Sequence, residues 1–308
     1  MAYISSLSAI QFKNKIDVTG VLLKRAPFKI YKSKGWLENT WMIMSSYFNA
    51  VLSNKEIAIT VDNSTIKTIT DKKGNFSVSL DSIIEEGITI YLVGKKDKLP
   101  IRQNYPIFFK ENPSKFIVIS DIDDTILVSH TKTLVKRFFI TLFRTASQRK
   151  VIPFTEQLYN FLNKENPNFF YVSKSEFNLS PILAYFIKYN ELPEGPLLLT
   201  SYLNFLGLIS TKKDKDFKLN KIKYLIKNSF EKKLILIGDD SQRDMQIYTV
   251  IANEYKSLIS SIYIRRTNKF ISKIQQENWL ALKATGVPSY YFENDESFSN
   301  YYKNQKKY

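Results

Sequence analysis

The sequence contains no cysteine and only one histidine, His130, in 308 residues. The first absence excludes disulfides, thiolate metal ligands and cysteine nucleophiles. The second excludes zinc sites built from several histidines and leaves little scope for a serine–histidine hydrolase. Any chemistry of this chain must therefore use carboxylates, hydroxyls, lysine and arginine.

Long apolar runs are also missing, since no stretch approaches the ~20 apolar residues that a membrane-spanning helix needs. The first residues, MAYISSLSAIQFKNKID, lack a basic region followed by an apolar region, so no secretory signal is apparent. These absences predict a soluble, cytoplasmic protein.

Negative charge is scarce relative to positive charge: 45 Lys and Arg face 29 Asp and Glu, a formal net charge of +16. One explanation is attraction to a phosphate-rich partner, namely nucleic acid, an anionic membrane surface or a phosphorylated substrate. The other is a lysine-rich background that keeps the surface soluble. Charge alone does not choose between them.

The first third of the chain has a strand pattern. β-Branched runs at 16–24, 56–62 and 87–93 predict strands, and the turn residues 71–75 between two alternating runs predict a hairpin. Apolar residues at helical spacing in 36–52, among them Trp41 and Phe48, predict a helix with a buried face. We expect a small β-sandwich domain over residues 1–112.

From about residue 113 the pattern changes to alternating strands and helices. The predicted strands are 115–120, 169–173, 196–200, 233–238 and 259–264, and the predicted helices are 180–190, 217–230 and 244–255. Such alternation is typical of βαβ crossovers and a mainly parallel sheet. We expect an α/β domain over 113–290, with a cap-like insertion at about 126–168 and a polar tail at 291–308.

Polar residues follow several of these strands. Asp121, Asp123 and Asp124 follow the first one, and their mutual repulsion should raise each pKa unless a positive charge lies among them. The other strand ends carry Ser173 and Lys174 in one case, and Asp239, Asp240 and, a turn later, Asp244 in another. Because parallel strands present their carboxyl ends at one edge, these groups should form an acidic cup that binds a hard cation, with Mg²⁺ favoured.

A calcium loop of the EF-hand type is the main alternative for a metal site. Such a loop beginning at Asp121 needs glycine at its sixth position and glutamate at its twelfth, where this chain has Ile126 and Lys132. The acids also follow a predicted buried strand, not a helix. We therefore reject this alternative.

The segments FIVISDIDDTI, FYVSKS and GDDSQRD resemble the first, second and fourth motifs of the haloacid dehalogenase superfamily of phosphotransferases. Lys218 stands near a predicted helix start, where the third motif has its lysine. The ordered phrases SDIDDTI, NPNFFYVSKSEFNL, LPEGPLLL and LILIGDDSQRDMQIY are similar to the actin-patch-type phosphatidate phosphatase family. The resemblance implies a haloacid-dehalogenase-like, Rossmannoid fold for the α/β domain.

The same resemblance implies a role for each matching residue. Asp121 is the implied nucleophile, and Asp123 the implied general acid and base. Thr125 is implied to hold the loop, Ser173 and its neighbour Lys174 to bind phosphoryl oxygens, and Lys218 to neutralise charge. The implied metal ligands are Asp121, Asp123 through its main-chain carbonyl, and Asp239, supported by Asp240 or Asp244. The implied reaction is Mg²⁺-dependent hydrolysis of phosphatidate to diacylglycerol and phosphate, through an aspartyl-phosphate.

A basic, amphipathic helical pattern covers part of the predicted cap. Lys136, Arg137 and Arg144 lie largely opposite an apolar face, which favours peripheral contact with an anionic membrane. Packing of that apolar face on the α/β core is the alternative, and the two can coexist.

Two other functions remain open on the sequence. One is a phosphatase of the same mechanism that acts on a soluble or nucleic-acid phosphomonoester. The other is a non-catalytic protein that binds anionic lipid. The resemblance favours phosphatidate as the partner over nucleic acid, and the intact acids and Lys218 argue against a vestigial site.

Overall fold

The computed structural model describes residues 2–27, 41, 45–85, 87–122, 153–203, 214–229, 232–241, 243–268 and 270–292. The strands are β1 (Tyr3–Gln11), β2 (Ile16–Leu23), β3 (Glu56–Val61), β4 (Ser64–Ile69), β5 (Asn75–Leu80), β6 (Ile88–Leu92), β7 (Phe108–Lys110), β8 (Phe116–Ser120), β9 (Asn168–Glu176), β10 (Leu197–Thr200), β11 (Lys233–Asp239), β12 (Ile259–Arg265) and β13 (Ser289–Phe292). The helices are α1 (Pro153–Asn163), α2 (Ser180–Tyr189), α3 (Phe217–Asn228), α4 (Asp244–Glu254) and α5 (Lys273–Ala284).

Two small sheets occupy the N-terminal part. One has the order β5-β2-β1-β7 and the other the antiparallel order β4-β3-β6. Alternate residues of both sheets meet in one hydrophobic cluster, to which β1 contributes Leu7, β2 Val18 and β3 Ile59. Burial of one face of each sheet is what this alternation predicts.

The predicted hairpin around residues 71–75 is wrong. The turn itself forms, because Asp71 Oδ1 accepts the backbone N–H groups of Lys73 and Asn75, and Gly74 adopts a φ of 74°. However, β4 pairs with β3, whereas β5 pairs with β2 in the other sheet. The turn therefore carries the chain from one sheet to the other.

The two predicted core residues of segment 36–52 that can be checked are exposed, although Tyr47 of the same segment is 2% exposed and packs in the cluster with Val118. Trp41 and Phe48 are 74% and 64% exposed. Residues 28–40 and 42–44 lie outside the described residues, and with them most of this predicted helix.

A six-stranded parallel sheet forms the α/β part, in the order β10-β9-β8-β11-β12-β13. Its strands are nearly continuous apolar runs because both faces are covered. Successive residues alternate between faces, so Val118 packs in the cluster with α1 and α2, and Ile117 in the cluster with α3, α4 and α5. The mixed α/β architecture and the parallel sheet are thus confirmed.

The two parts of the chain pack directly on each other. Ile10 and Phe12 of the N-terminal part belong to the same hydrophobic cluster as Ile117 and Ile119 of β8. Helix α1, in the second half of the predicted cap, contributes the buried Leu158 to the opposite cluster. Residues 126–152 of that insertion lie outside the described part of the chain.

Candidate active site

The site lies where the strand order reverses. After β8 the chain builds β9 and β10 on one side of that strand, and then returns to place β11 on its other side. Ligands of parallel α/β sheets bind at such a switch point, outside the carboxyl ends of the strands. Asp121 directly follows β8 and Asp239 ends β11, so the topology brings both carboxylates to this position.

Backbone hydrogen bonds hold Asp121 at the end of β8. Its N–H donates to the carbonyl of Ile237 at 2.9 Å, and its carbonyl accepts from Ser120 Oγ at 2.8 Å. The Ser120 hydroxyl also pairs with the hydroxyl of Tyr159. Asp121 is only 1% exposed, so this buried carboxylate needs a compensating positive charge.

Lys218, in the first turn of α3, supplies that charge. Its Nζ lies 2.9 Å from Asp121 Oδ1 and 2.5 Å from Asp244 Oδ1, and all three side chains are buried. Burial acts to lower the pKa of Lys218, but the charges of Asp121 and Asp244 outweigh it and hold the pKa above its usual range. Lys218 therefore remains charged between the two acids.

Asp244 begins α4 and closes the cluster. Its Oδ2 accepts the backbone N–H of Asp239 at 3.3 Å. Burial raises the pKa of the Asp244 carboxyl to about 6, with Lys218 opposing the rise and Asp121 adding to it. Gly238 permits this close approach, since a Cβ there would meet Asp244 Oδ2 at 2.5 Å.

The acids Asp121, Asp239 and Asp244 can hold a metal ion. Each offers a carboxylate oxygen, these oxygens lie within 4.8 Å of one another, and all three residues are buried. Among the described residues, these three carboxylates surround Lys218, so negative charges outnumber this lysine in the cluster and a cation would offset the excess. An all-oxygen donor set fits a hard divalent cation.

Asp240 is directed away from this triad. Its Oδ1 accepts from the backbone N–H and the hydroxyl of Thr267, at 2.9 and 2.5 Å, and its Oδ2 accepts from the hydroxyl of Tyr291 at 2.5 Å. Of the two acids predicted to support the metal, the structure brings Asp244 to the cluster and places Asp240 against the segment after β12.

The serine and lysine predicted to bind substrate lie toward the end of β9. Ser173 is buried, and its Oγ accepts the backbone N–H of Ser175 at 2.9 Å. Lys174 is partly buried, and its pKa lies below the usual range. Burial is the main cause, and the positive charge of Lys218 is the next. Asp244 and Asp121 act in the opposite direction. The charges of the cluster therefore act on Lys174.

Two predicted site residues, Asp123 and Thr125, lie outside the described residues, as do Asp124, His130 and the basic helical pattern containing Lys136, Arg137 and Arg144.

Sequence reasoning missed Tyr248 as part of the site's framework. Its hydroxyl donates to the Ile237 carbonyl at 3.0 Å, the same carbonyl that accepts the N–H of Asp121. Burial and then the charge of Asp244 raise the pKa of Tyr248. Its position four residues after Asp244, on one face of α4, is the signal that was available.

A cavity of about 410 Å³ lies elsewhere, between β1 and α2, and Ser5, Ser8, Arg102 and Tyr185 are among the residues that line it. None of the three clustered acids lines this cavity. The chemistry is therefore located by the carboxylates and Lys218, and not by cavity size.

Together, the sheet and the cluster define an α/β protein that gathers carboxylates and a lysine at the switch point of a parallel sheet. Residues 116–266 match the family described as the catalytic domain of phosphatidate phosphatase APP1. The chain belongs to this family over that region, as its motifs predicted.

Two curated proteins are similar to the chain. Phosphatidate phosphatase APP1 of Saccharomyces cerevisiae is 32% identical over 217 residues, which cover 69% of this chain and 34% of that protein. An uncharacterized protein of Schizosaccharomyces pombe is 24% identical over 148 residues, which cover 48% of this chain and 24% of that protein. The chain thus spans about a third of the first relative's length and about a quarter of the second's.

Among solved structures, a chain of the Pnkp1/Rnl/Hen1 complex matches 57% of this chain and 56% of its own, with 17% identity and a TM-score of 0.34. A score this low carries no argument about fold. Within the residues that the structure describes, no helix is long and apolar enough to cross a membrane.

Proposed function

We propose that the protein is a Mg²⁺-dependent phosphomonoester hydrolase that acts through an aspartyl-phosphate, and that its substrate is phosphatidate. The observation that carries the proposal is the buried contact of Lys218 with Asp121. A carboxylate oxygen of Asp121 lies within 4.8 Å of one from Asp239 and one from Asp244. Membership of the phosphatidate phosphatase family over 116–266 supports the substrate. Diacylglycerol and inorganic phosphate would be the products.

In this proposal Asp121 is the nucleophile. One carboxylate oxygen of Asp121 forms a bond to phosphorus while the bond from phosphorus to the lipid oxygen breaks. Asp123 donates a proton to the departing oxygen, and later takes one from the water that hydrolyses the aspartyl-phosphate. The hydrogen bonds from Asp121 N–H to Ile237 and from Ser120 to the Asp121 carbonyl fix the attacking group before substrate binds.

Repulsion between a carboxylate and a dianionic phosphate opposes the first step, so the site must supply positive charge. Lys218 does this from its position between Asp121 and Asp244. A bound Mg²⁺, held by Asp121, Asp239, Asp244 and the main-chain carbonyl of Asp123, would neutralise phosphoryl charge. Ser173 and Lys174 would bind phosphoryl oxygens, and Thr125 would hold the loop that follows Asp121.

The choice of Asp244 over Asp240 as the supporting ligand follows from their contacts. The carboxylate of Asp240 is engaged by Thr267 and Tyr291, whereas that of Asp244 contacts Lys218 and the backbone of Asp239. Asp244 therefore already presents a carboxylate oxygen within 4.8 Å of one from Asp239.

The architecture proposed for this enzyme is a β-sandwich over 1–112 and a haloacid-dehalogenase-like domain over 113–290, capped by the insertion at 126–168. The order of the parallel sheet and the shared cluster of the two N-terminal sheets support it. We place the protein in the cytoplasm, in peripheral contact with membranes that carry its substrate.

The metal-dependent reaction is tested with p-nitrophenyl phosphate, which needs no lipid surface. Hydrolysis should stop with EDTA and return with Mg²⁺, and Asp121→Asn should abolish it while the exposed control Asp97→Asn keeps the wild-type rate. Hydrolysis that is indifferent to EDTA, or retained in Asp121→Asn, would refute the mechanism. Faster, strongly salt-sensitive release from phosphorylated oligonucleotides would instead favour a nucleic-acid substrate.

A further inference from the structure

Three large apolar side chains project into solvent next to the candidate active site. The segment after β12 carries Phe270, 84% exposed, and Ile271, 41% exposed, and the first turn of α5 carries Ile274, 66% exposed. We call these three residues the apolar tip. Single exposed apolar residues are common on soluble proteins, but a contiguous group is typical of an interaction site.

The apolar tip belongs to the same edge of the sheet as the acid cluster. All six strands of this sheet are parallel. The carboxyl end of β12, at Arg265, therefore lies on the same edge as Asp121 after β8 and Asp239 at the end of β11. The N–H of Asp240 donates to the Arg265 carbonyl at 3.1 Å, which joins the two strand ends directly. A surface that contacts the apolar tip would therefore face the candidate active site.

Asp240 fixes the segment that carries the apolar tip at both of its ends. Before the tip, Thr267 donates its N–H and its hydroxyl to Asp240 Oδ1; after it, Gln275 Nε2 donates to the Asp240 carbonyl at 3.0 Å. Ser272 and Gln275 form a reciprocal capping box at the start of α5. The exposure of the tip is therefore imposed by built contacts and is not the fraying of a free loop.

Positive charge flanks the apolar tip. Arg266 precedes the tip in the sequence. Lys273, whose side chain is 90% exposed, stands between Ile271 and Ile274. The acidic residue nearest to the tip in the sequence is Glu277, which is exposed. Its Oε1 lies 4.0 Å from Lys273 Nζ. Apolar side chains bordered by cations suit the interface of an anionic membrane, where the apolar groups insert among the headgroups and acyl chains and the cations meet lipid phosphates.

We propose that the apolar tip docks the protein on an anionic membrane surface and turns the carboxyl edge of the parallel sheet toward the lipid. Phe270, Ile271 and Ile274 insert into the interface, while Arg266 and Lys273 contact the headgroups. The surplus charge of +16 favours an anionic bilayer over an apolar protein groove as the occupant. The inference deepens the proposed function, because it supplies the route by which a lipid phosphate reaches Asp121.

Flotation with vesicles tests this docking without any need for turnover. The full chain is mixed with vesicles of phosphatidylcholine alone, and with vesicles that also contain phosphatidate. The variant Phe270→Ser/Ile274→Ser should bind the anionic vesicles at least about tenfold more weakly, as expected for two large apolar side chains that no longer insert. The matched control is Ile69→Ser, because Ile69 is 64% exposed but lies on β4, in the other part of the protein.

Turnover separates this inference from the proposed function. Phe270→Ser/Ile274→Ser should keep wild-type hydrolysis of p-nitrophenyl phosphate and lose hydrolysis of phosphatidate in vesicles. Arg266→Ser/Lys273→Ser should lose the preference for anionic vesicles. If the wild type hydrolyses neither substrate, the proposed function fails while flotation still decides the docking.

Three results would overturn the docking: wild-type protein that does not float with anionic vesicles, equal flotation of Phe270→Ser/Ile274→Ser, or an equal loss in Ile69→Ser. If the tip instead mediates self-association, the wild-type protein should fail to float with anionic vesicles, and its molecular mass in solution should rise with protein concentration.

Discussion

Lys218 Nζ lies 2.9 Å from Asp121 Oδ1, and each of these side chains is 1% exposed. They come from different elements: Asp121 follows β8, and Lys218 lies in the first turn of α3, a helix that shares a hydrophobic cluster with Ile117 and Ile119 of β8. Removing one member of such a buried pair leaves the other charge without compensation, which costs more than the pair contributes.

Lys218→Met should therefore destabilise the fold as well as abolish turnover. Asp121 and Asp244 would be left buried beside each other, and we expect the free energy of unfolding to fall by about 3–5 kcal/mol. Urea denaturation of the metal-free protein measures this change. Lys223→Met is the control on the same helix, since its salt bridge with Glu254 is exposed, and it should leave stability nearly unchanged. A Lys218→Met variant as stable as the wild type would contradict the compensating role.

Two neighbouring acids should respond differently to the same substitution. Asp239→Asn should weaken Mg²⁺ binding at least about tenfold, since this residue belongs to the triad. Asp240→Asn should retain most of the affinity, because its carboxylate contacts Thr267 and Tyr291. Calorimetric titration of both variants with Mg²⁺ distinguishes them, and equal losses would place Asp240 among the metal ligands.

Gly238 is expected to tolerate no side chain. An added Cβ would lie 2.5 Å from Asp244 Oδ2 and 2.9 Å from Tyr248 Cε2, so Asp244 would have to move. We expect Gly238→Ala to cost roughly 1–3 kcal/mol of stability and to weaken Mg²⁺ binding. Thermal unfolding with and without Mg²⁺ measures both effects. Unchanged stabilisation by Mg²⁺ would show that Asp244 is not required in its present position.

The N-terminal part should stabilise α3 through a buried contact. Asp17 accepts hydrogen bonds from Tyr224 and Ser79 and lies 3.2 Å from Lys15 Nζ, so the helix that carries Lys218 is tied to β2. In a double-mutant cycle, Asp17→Ala and Tyr224→Phe should couple by about 0.5–3 kcal/mol in urea denaturation. Additive effects would mean that the contact contributes nothing, and Tyr185→Phe serves as the uncoupled control.

Much of the α/β part was predictable because its strands are buried on both faces and read as continuous apolar runs. The convergence of Asp121 and Asp239 followed from the same pattern, since parallel strands share one carboxyl edge, whereas Lys218, which lies on a helix, was indicated only by the family resemblance. The choice between Asp240 and Asp244 did not follow. Both acids come soon after β11, and only the hydrogen bonds from Thr267 and Tyr291 reveal that Asp240 serves the neighbouring segment.

The N-terminal part was less predictable for a local reason. The turn at Asp71–Asn75 uses the same side-chain hydrogen bonds whether the next strand pairs with the last one or crosses to another sheet. The contact between Asp17 and Tyr224 joins residues 207 positions apart, so no local pattern indicates it. The exposure of the apolar tip was not predictable either, because the sequence alone does not distinguish an exposed Phe270 from a buried one.

The most direct test of the account is phosphate release from short-chain phosphatidate in mixed micelles, with and without Mg²⁺, for the wild type and Asp121→Asn. Release should require Mg²⁺ and disappear in the variant, which should keep the wild-type circular dichroism spectrum. Release from p-nitrophenyl phosphate alone would retain the chemistry and contradict the lipid substrate. Undiminished release by Asp121→Asn would contradict the central claim, that the carboxylate held by Lys218 is the nucleophile.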